Sequence, residues 1–562
     1  MEIVSFALRV LAPLVAIIIV CICFSSLRYG RREEHALIAL TDDIHDVVYP
    51  VLFWENALGR GRGSDIKLND PAVSRDHAVL LRREAGWFIT DTGSKYGVTV
   101  NGEKVEGRRQ VYIGDQIVLG NTQLTLRKAD VVQDERILRK EIRKRSKIAT
   151  PSSIMMLLTL FMVLLIAEAY INTNNIDVLL PSLVFMLLMW IFFLVSRKFL
   201  HRTTFELETL ALMLTGIGVM LSVTHDIRQA WVQIIAAFGG MILFSLLIAF
   251  MEVPDRVQKW RLIISIGAVL FLGLNLLIGQ VQNGAQNWIY IGPISIQPSE
   301  FVKVAYIFVG ASTLDVLQTK KNLFEFIAFT ALCIGALFLM SDFGTACIFF
   351  VTFLLISFMR SGDIKTIILA VTAALLGVMI ILYFKPYIAD RFEAWGHVWD
   401  YAQTSGFQQV NTLIYSASGG LFGVGLSLGC LQYIFASESD LVFGLISEEM
   451  GFLIALAVVI VIGGFAVYAR GITTKSRSTF YSITACTAAG LLVIQAALNI
   501  FGATDILPLT GVTLPFISEG GSSMVACWGL LAFIKAADER TYSNRRRKRP
   551  QRTEETENYV EI

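Results

Sequence analysis

Three acidic residues lie at the edges of an apolar run, where the presence of a charged side chain calls for an explanation. The stretch "SESDLVFGLISEEM" (437–450) puts Asp440 before the run and Glu448 and Glu449 two helical turns further on. A carboxylate at a membrane boundary can act as a general base on a hydroxyl group, or hold a divalent cation against a pyrophosphate. It can equally cap a helix. The spacing makes Glu448 and Glu449 either a buried acid with its structural partner or two residues on opposite sides of a cavity.

A second candidate pair opens another apolar segment, "SEFVKVAYIFVG". Glu300 and Lys303 are three residues apart, so a helix places them on one face, where they can form an ion pair. A charge inside hydrocarbon is costly, and such residues usually face a cavity or a partner and serve function. The alternative is that Glu300 lies at the membrane interface and Lys303 extends its amine toward water.

A third candidate is the segment "LPLTGVTLPFISEGGSSM" (507–524), which is dense in Pro, Gly and Ser. Its Gly-Gly-Ser-Ser sequence ends with Ser522 and Ser523 and offers backbone N–H groups that can hold an anion. A capped helix entry turn explains the same residues equally well. A serine nucleophile is not favoured, because neither His225 nor His397 stands in a recognisable triad context.

The composition requires a membrane to position these groups. Of the 562 residues, 54% are hydrophobic and only 17% are charged, against about 25% in an ordinary soluble protein. An apolar N-terminal segment (residues 6–27) followed by arginines predicts an uncleaved anchor. After Thr150, twelve further segments have the length of about 20 residues that a transmembrane helix needs; they centre near residues 161, 188, 214, 240, 270, 309, 332, 352, 374, 455, 490 and 524. We therefore predict thirteen spans.

The distribution of basic residues predicts the orientation. Loops rich in Lys and Arg alternate with loops that are nearly free of them, and the tail contains "RRRKR". Under the positive-inside rule the basic loops and the tail are cytoplasmic, and the N-terminus is outside. Two external segments then stand out, one at 280–300 and a long one at about 385–440. The glycine-rich part of the long one, "SASGGLFGVGLSLG", follows no parallel strand, so we interpret it as backbone lining a cavity rather than as a dinucleotide fingerprint.

The segment from about residue 45 to 127 has a different pattern of apolar and polar residues from the rest of the chain. Short runs of alternating apolar residues are separated by Gly, Asn and Asp, which predicts an all-β sandwich. A basic linker follows, with nine basic and four acidic residues between Arg127 and Lys147, and is expected to lie against the membrane face. The seven cysteines have no paired spacing and indicate neither a disulfide framework nor a zinc site.

Five ordered blocks of sequence resemble those of the SEDS family, the RodA/FtsW-type proteins of cell shape, elongation, division and sporulation. These blocks are "NWIYIGPISIQPSEFVKVAYI", "SDFGTA", "GFQQVNTLIYSASGGLFGVGLSLG", "SDLVFGLISEEMGF" and "TGVTLPFISEGGSSM". The resemblance covers about residues 205–537, which hold ten of the thirteen predicted spans. It implies a polytopic α-helical membrane protein whose ten-helix SEDS core is an inverting peptidoglycan glycosyltransferase acting on lipid II outside the cytoplasmic membrane of a bacterium.

The resemblance also assigns roles to residues. It makes Asp440 the catalytic residue, a base on the acceptor sugar's hydroxyl, and it places Trp288, Glu300 and Lys303 in the substrate site. Arg391 resembles an arginine early in the family's large loop. Further residues fall in shared blocks and are expected to bind substrate: Asp342, Glu448, Glu449, Ser522 and Ser523. The departing pyrophosphate needs positive charge, from Lys303, Arg391 or a divalent cation such as Mg or Mn, whose ligands the sequence leaves unknown.

The chain departs from the family pattern near the catalytic residue. The family usually has His-Thr before the aspartate and Phe after it, whereas this chain has Glu438 and Ser439 before it and Leu441 after it. Glu519 occupies a place that tyrosine often holds. These differences leave the base in position and concern the finer contacts with the substrate.

The β domain resembles the forkhead-associated (FHA) family of phosphothreonine readers. The resemblance rests on "GRGRGSDIKLNDPAVSRDHAVL" followed by "DTGSKYGVTVNG". It implies that Arg60 and Ser74 bind the phosphate, assisted by Arg75, which suits the phosphate's several acceptor oxygens. His77 is expected to be a scaffold residue. Tyr96 replaces the family's usual Asn, which puts the selectivity for the bound peptide in question.

These observations divide the chain into six predicted parts. They are a transmembrane anchor (1–32), a cytoplasmic FHA domain (45–127), a basic linker (128–150), two additional helices (151–204), the SEDS core (205–537) and a basic cytoplasmic tail (538–562). The expected partners are lipid II, the membrane, a phosphothreonine protein that a Ser/Thr kinase modifies, and a class B penicillin-binding protein that supplies the transpeptidase. Nothing in the sequence indicates a nucleic-acid partner.

Two other functions remain open from the sequence. A lipid II flippase would also use many spans and intramembrane charges, but its polar residues should centre near the bilayer midplane. The polar residues of this chain concentrate at one membrane face, which favours surface chemistry. A membrane scaffold recruited to phosphorylated division proteins is the third hypothesis, and it involves no catalysis.

Overall fold

The computed structural model describes most of the chain as two compact units. The described residues are 2–29, 38–128, 149–198, 204–361, 394–473 and 479–538, with short gaps inside some of these ranges, and three isolated positions at 368, 371 and 372. One unit contains the apolar helices, and the other contains the β domain. The predicted basic linker and most of the tail lie outside the described residues.

The β domain is a sandwich of two mainly antiparallel sheets. Its six-stranded sheet has the order β2-β1-β11-β10-β7-β8, and its five-stranded sheet has the order β4-β3-β5-β6-β9. The strands are β1 Ile38–Asp42, β2 Val47–Val51, β3 Glu55–Gly59, β4 Ile66–Lys67, β5 Ala78–Arg83, β6 Gly86–Asp91, β7 Val98–Val100, β8 Glu103–Lys104, β9 Arg108–Val111, β10 Gln116–Leu119 and β11 Thr122–Lys128.

The alternation that predicted these strands also determines the domain's core. In β10, Ile117 and Leu119 are fully buried, while Gln116, the first residue of the strand, is exposed. Because neighbouring side chains of a strand point to opposite faces, one face of each sheet supplies the apolar layer. Leu40, Leu80 and Ile89 join the same buried cluster from both sheets, so the two sheets pack face to face.

The other unit is a bundle of long apolar helices with short helices at one end. The helices are α1 Glu2–Tyr29, α2 Pro151–Thr173, α3 Leu179–Lys198, α4 Glu206–His225, α5 Ile227–Met251, α6 Pro254–Ile278, α7 Pro298–Asp315, α8 Lys320–Leu339, α9 Phe343–Ser361, α10 Phe407–Ser418, α11 Val442–Glu449, α12 Phe452–Ile472, α13 Thr479–Ala503 and α14 Gly521–Ala537.

Eight of the described helices are long and apolar enough to cross a membrane: α1 to α6, α12 and α13. Shorter apolar stretches lie in α8, α9 and α14, and α7 carries the charged pair Glu300 and Lys303. Twelve of the thirteen predicted spans thus coincide with described helices. The span centred near residue 374 lies outside the described residues, so the number thirteen stays a prediction.

Helix α4 is the centre of this unit. Every residue from Glu206 to Val223 is buried, which an ordinary membrane helix with one lipid-facing side would not show. Next to it, α5 and α14 approach closely because Gly240 lies directly beneath the ring of Trp528. That ring also makes edge contacts with Phe244 and Phe516. The centre of the bundle is therefore closely packed, and its polar groups concentrate where the helices end.

Between the long helices, two connecting segments carry structure of their own. The first forms a three-stranded antiparallel sheet of β12 Gln280–Gln282, β13 Ala285–Ile291 and β14 Ile294–Ile296. The second, from residue 394 to 441, consists of turns, α10 and a short 3-10 helix (Leu431–Tyr433). The prediction of backbone that lines a cavity fell on this second segment.

Candidate functional site

Two fully enclosed carboxylates organise the glycine-rich loop before the catalytic candidate. Glu448 is 2% exposed and Glu449 is 0% exposed. The Glu448 carboxylate accepts hydrogen bonds from the backbone N–H groups of Cys430 (2.7 Å) and Leu431 (2.9 Å), and that of Glu449 accepts one from Ser427 (3.1 Å). Charge-assisted bonds of this kind offset the cost of burying a carboxylate. The two carboxylates therefore hold the loop in place through its backbone N–H groups.

The glycines of that loop are required by how closely it approaches α11. A Cβ atom at Gly419 would collide with the backbone carbonyl of Ser447, and one at Gly423 would collide with that of Glu449. Gly423 also has φ = +82°, a conformation that residues with a side chain rarely adopt. The close packing of this loop against α11, the helix that ends with Glu448 and Glu449, thus explains its glycine-rich sequence.

A histidine at the end of α4 bridges two of the acids. His225 lies 2.9 Å from a carboxylate oxygen of Glu449 and 3.1 Å from one of Glu438. Glu438 in turn shares a side-chain hydrogen bond with Glu519, whose backbone N–H donates to the Glu438 carbonyl at 2.9 Å. The residues at which this chain departs from the family pattern, Glu438 and Glu519, therefore pair with each other.

The two acids of that pair have opposite pKa shifts. Burial, reinforced by the hydrogen bond and the negative charge of Glu438, raises the pKa of Glu519 from 4.5 to about 9. Burial acts in the same direction on Glu438, but hydrogen bonds from His225 and Glu519 outweigh it and lower the pKa of Glu438. Glu519 thus carries the proton of the pair, and its protonated carboxyl donates a hydrogen bond to the ionised Glu438.

Asp440 is half-buried, two residues after Glu438, and is not itself the N-cap residue of the helix that follows. That position is held by Leu441, whose side chain makes no capping bond. The backbone around Asp440 is tied down instead: Asn499 donates to the Asp440 carbonyl at 3.0 Å, and Ser518 donates to the Ser439 carbonyl at 2.6 Å. The carboxylate lies beside Gly511, 3.5 Å from where a Cβ atom would stand. Asp440 therefore lies one residue before the N-cap position of α11.

Glu300 and Lys303 form the ion pair that their spacing predicts. The amine of Lys303 lies 2.7 Å from the Glu300 carboxylate and donates to the side-chain oxygen of Gln495 at 3.3 Å. The two side chains are 1% and 7% exposed for Lys303 and Glu300. The pair is buried, so the alternative in which Lys303 reaches toward water does not apply.

Ser522 and Ser523 join α14 to the same polar region. The hydroxyl of Ser522 accepts from the backbone N–H of Gln297 at 3.0 Å, just before α7. That of Ser523 lies 2.7 Å from the hydroxyl of Thr513, and both accept from the side-chain amide of Gln495. Both serines are 5% exposed. They act here as connectors between the helix start and its neighbours.

Two of the three remaining candidates, Asp342 and Trp288, lie around the three-stranded sheet. Asp342 accepts from the backbone N–H of Thr345 at 3.1 Å and from the side chain of Asn287 at 3.2 Å. Asn287 precedes Trp288, which is half-buried in β13 opposite Gln280. Arg391 lies outside the described residues.

Some members of this region were not found from the sequence. Gln495 connects Lys303 with the loop before α14, and Asn499, one turn further along α13, holds the Asp440 carbonyl. Two polar amides spaced by four inside an apolar span were the available signal, since such residues usually face a partner within the protein. His225 was considered only as a triad member, and its two carboxylate partners are separated from it by more than 200 residues.

A divalent cation has no preformed cage among the described residues. No group of three or more His, Cys, Asp and Glu side chains is arranged there to hold a metal ion. Among the acids that come together, Glu438 and Glu449 contact His225, Glu449 also accepts from a backbone N–H, and Glu438 shares a hydrogen bond with Glu519. The donor set of the described chain does not fit a resident metal.

In the β domain, the residues expected to bind phosphate lie on two adjoining loops. The backbone N–H of Arg60 donates to the Ser74 carbonyl at 3.0 Å, and that of Gly61 donates to the Arg75 carbonyl at 2.9 Å. Gly59 must be glycine, because a Cβ atom there would collide with the Arg75 carbonyl. The side chains of Arg60 and Arg75 are exposed. The loops thus present two guanidinium groups and a hydroxyl on the same part of the domain.

His77 supports these loops from inside. It is fully buried; its Nδ1 accepts from the backbone N–H of Ser74 at 2.9 Å, and its Nε2 lies 3.0 Å from the Gly97 carbonyl. This agrees with its interpretation as a scaffold residue. Tyr96, in the position of the usual Asn, is 61% exposed, and the amine of Lys95 lies over its ring at 5.4 Å.

Comparisons with known proteins match both units. Residues 209–543 match the family model of FtsW, RodA and SpoVE, described as cell cycle protein, and residues 56–120 match the FHA domain. The chain is 32% identical to the probable peptidoglycan glycosyltransferase FtsW of Bacillus subtilis, over 54% of this chain and 79% of that protein. It is 24% identical to the peptidoglycan glycosyltransferase RodA of Mycobacterium tuberculosis, over 61% of this chain and 79% of that protein.

One solved structure shows the same fold. It belongs to a study described as structural coordination of polymerization and crosslinking by a peptidoglycan synthase complex. The match has a TM-score of 0.51 and 22% identity, and it covers 61% of this chain and 98% of that one. The helical unit therefore has a known architecture.

The buried pair of Glu300 and Lys303 predicts a stability difference between single and double variants. Lys303→Met leaves the Glu300 carboxylate buried without its partner, and we expect a loss of about 3 kcal/mol in the free energy of unfolding. Combining it with Glu300→Gln removes the stranded charge and should restore most of that loss. Thermal unfolding of the purified chain in detergent measures both effects. Equal unfolding temperatures for the single and double variants would contradict the burial of this pair.

The raised pKa of Glu519 predicts a pH-dependent stability. A carboxyl whose pKa is higher in the folded chain stabilises the fold fully below its ordinary value of 4.5, and the contribution is lost as the pH rises to about 9. Glu519→Gln keeps a neutral donor to Glu438 and should remove this loss. The measurement is the unfolding temperature of both chains across that pH range. Parallel curves for wild type and variant would count against the shared proton.

Proposed function

Because the chain belongs to the FtsW/RodA/SpoVE family of cell cycle proteins, we propose that it is a peptidoglycan glycosyltransferase that polymerises lipid II into glycan strands for cell shape, division or sporulation. The observation that carries the proposal is the setting of Asp440. Its backbone is held by Asn499 and Ser518 at the end of a rigid bundle that also carries the Glu300–Lys303 pair. A half-buried carboxylate on a fixed backbone suits a general base.

In the proposed reaction Asp440 takes the proton from the C4 hydroxyl of the acceptor sugar as its oxygen attacks the anomeric carbon of the donor. The bond from that carbon to the polyprenyl pyrophosphate breaks, and the configuration inverts. Lys303 and Arg391 are the residues we propose to stabilise the charge of the departing pyrophosphate. Glu300 holds the Lys303 amine at 2.7 Å and so determines where that charge is presented.

The other candidates are proposed to shape the substrate site. We assign Trp288 and Asp342, which lie in or beside the three-stranded sheet of residues 280–296, to the part of the substrate site formed by that segment. Ser522 and Ser523 order the start of α14 next to Lys303. Glu448 and Glu449 hold the loop that precedes Asp440. The described side chains form no group of three or more that could hold a divalent cation at the pyrophosphate.

The chain is a multi-pass membrane protein, and we propose that its site opens on the outer face of the cytoplasmic membrane. The positive-inside rule supports this orientation, with the N-terminus outside and the FHA domain and tail in the cytoplasm. The six predicted parts of the chain follow the same division: the core at 205–537 performs the transfer, while the FHA domain at 45–127 regulates it from the other side.

Regulation is proposed to act through phosphothreonine. The chain carries an FHA domain, and its Arg60, Ser74 and Arg75 supply donors that match a phosphate. The expected ligand is a protein that a Ser/Thr kinase modifies. A class B penicillin-binding protein is the expected second partner, because this chain shows no transpeptidase motif of its own.

The flippase alternative is less well supported by the distribution of polar groups. The described clusters around His225, Asp440 and Asp342 lie in connections and at helix ends rather than halfway along the long helices. A transporter of this size would be expected to bind near the midplane.

The proposal is tested by following lipid II polymerisation by the purified full-length chain with its penicillin-binding partner. Removing the general base should lower the rate by 10²-fold to 10⁴-fold, so Asp440→Ala should form essentially no glycan strands. Asp400→Ala is the matched control, because Asp400 is an exposed acid of the same segment, and it should keep wild-type activity. Strands of normal length from Asp440→Ala would rule out this base, and lipid translocation without polymer would favour the flippase.

Phosphopeptide binding tests the proposed regulation separately. A phosphothreonine peptide should bind the full-length chain, and Arg60→Ala should abolish the binding because it removes the guanidinium from the phosphate. Arg108→Ala, at an exposed arginine of β9, should leave binding unchanged. Equal affinity for the phosphorylated and unphosphorylated peptide, measured by calorimetry, would overturn this part of the proposal.

A further inference from the structure

Helix α1 carries an arginine in the middle of an apolar sequence, and the arginine contacts the glycine-rich loop. The guanidinium of Arg9 donates from the same nitrogen to the carbonyls of Gly423 (3.0 Å) and Val424 (2.7 Å). A charged side chain in a membrane helix usually has a functional partner within the protein. In α1 that partner is the backbone of residues 423–424, more than 400 positions away.

Helix α2 contacts the next residue of the same loop. Glu168, 3% exposed, accepts from the backbone N–H of Leu426 at 3.2 Å. Asn172, one turn along the same face, donates to the Leu426 carbonyl at 3.0 Å. It also accepts from the hydroxyl of Ser5 at 2.9 Å, which joins α2 to α1. Both backbone groups of Leu426 are therefore satisfied by one helix.

These contacts come from helices outside the part of the chain that matches the family model, which begins at residue 209. Neither a membrane anchor nor a connecting span needs polar side chains that all bond to one loop. Arg9, Glu168 and Asn172 together make five hydrogen bonds to the loop and to each other's helices, if the bond from Ser5 is included. The additional helices thus contribute to the surroundings of the candidate site.

The same loop also bonds to Glu448 and Glu449, the two acids that follow Asp440 in the chain. The backbone N–H groups of Val424 and Gly425 donate to the carbonyls of Glu448 (2.8 Å) and Glu449 (3.0 Å). The Glu449 carboxylate binds His225, and His225 binds Glu438, two residues before Asp440. A series of hydrogen bonds therefore runs from α1 and α2 to His225, whose Nδ1 lies 3.1 Å from the Glu438 carboxylate, two residues along the backbone from the catalytic candidate.

We propose that Arg9, Glu168 and Asn172 are positioning residues for the glycosyl transfer, which act on Asp440 through the loop of residues 423–431. The proposal rests on the proposed function of this chain. The three side chains touch no reacting atom. They fix the position of the loop relative to Glu448 and Glu449. Those two acids and His225 in turn fix the backbone that carries the base.

The position of these residues predicts a specific kinetic effect. Lys303, proposed to bind the pyrophosphate, lies on α7, and no described hydrogen bond joins it directly to residues 423–431. Loosening the loop should misplace the base without weakening substrate binding. Misplacement of a catalytic group lowers kcat, whereas loss of uniform binding raises KM.

The test compares polymerisation kinetics of full-length variants in lipid nanodiscs. Arg9→Met and Glu168→Leu should each lower kcat about tenfold and leave KM within about twofold. The conservative variants Arg9→Lys and Glu168→Gln keep a donor and an acceptor for the same backbone groups and should recover most of the rate. Arg197→Met is the matched control, because Arg197 is an exposed arginine that bonds to Ser152 and contacts the ring of Phe193 but does not contact the loop, and it should behave as wild type.

Hydrogen exchange of the peptide covering residues 423–431 provides the second readout. Its amides should exchange faster in Arg9→Met and Glu168→Leu than in wild type or Arg197→Met. If one variant does not fold, Asn172→Leu replaces it, with the same expected result. Wild-type kcat in these variants, or a lost rate that Arg9→Lys and Glu168→Gln do not recover, overturns the proposal while the proposed function stands. A wild-type chain that forms no polymer overturns both.

Discussion

The structure around the candidate site depends on two carboxylates that have no access to water. Glu448 and Glu449 are almost fully buried at the end of α11, and an uncompensated buried charge would cost several kcal/mol. They are compensated by backbone N–H groups of residues 427, 430 and 431 and by His225. The loop must lie against the helix to make these bonds, which requires glycines at the points of contact. The stretch that carries Asp440 connects this loop to the acidic helix, so its position follows from the same bonds.

This constraint explains why many polar residues of an apolar chain lie together at the His225 end of α4, while a separate buried pair, Glu208 and Lys535, lies near its other end. Each buried polar group in a bundle needs a partner within the protein, and each partner here lies on a different helix or loop. Gln495 and Asn499 of α13 connect Lys303 on one side with the Asp440 backbone on the other. The result is a polar region built by many segments on a closely packed apolar bundle. A transfer reaction that joins two lipid-linked substrates needs a rigid arrangement of this kind at the membrane boundary.

The sequence predicted the parts of this arrangement whose signal is local. Hydropathy located twelve helices that the structure describes, alternation located the β sandwich, and a spacing of three located the Glu300–Lys303 pair. Contacts between distant segments left no local signal: His225 meets acids more than 200 residues away, and the bond from Arg9 to the loop spans more than 400. For this reason the sequence identified α1 only as an anchor and gave no role to α2 or α3. The position of Asp440, one residue before the N-cap of α11, also needed coordinates, because "SESD" is equally good as a cap and as a site.

The central claim is that Asp440 is held where it can take a proton from the acceptor sugar. The most direct measurement is the structure of the full-length chain with a lipid II analogue bound as acceptor. The account predicts that the acceptor's C4 oxygen lies within about 2.6–3.2 Å of the Asp440 carboxylate, or one water molecule away from it. A bound acceptor whose C4 oxygen faces a different acid, with Asp440 turned toward the protein, would contradict it.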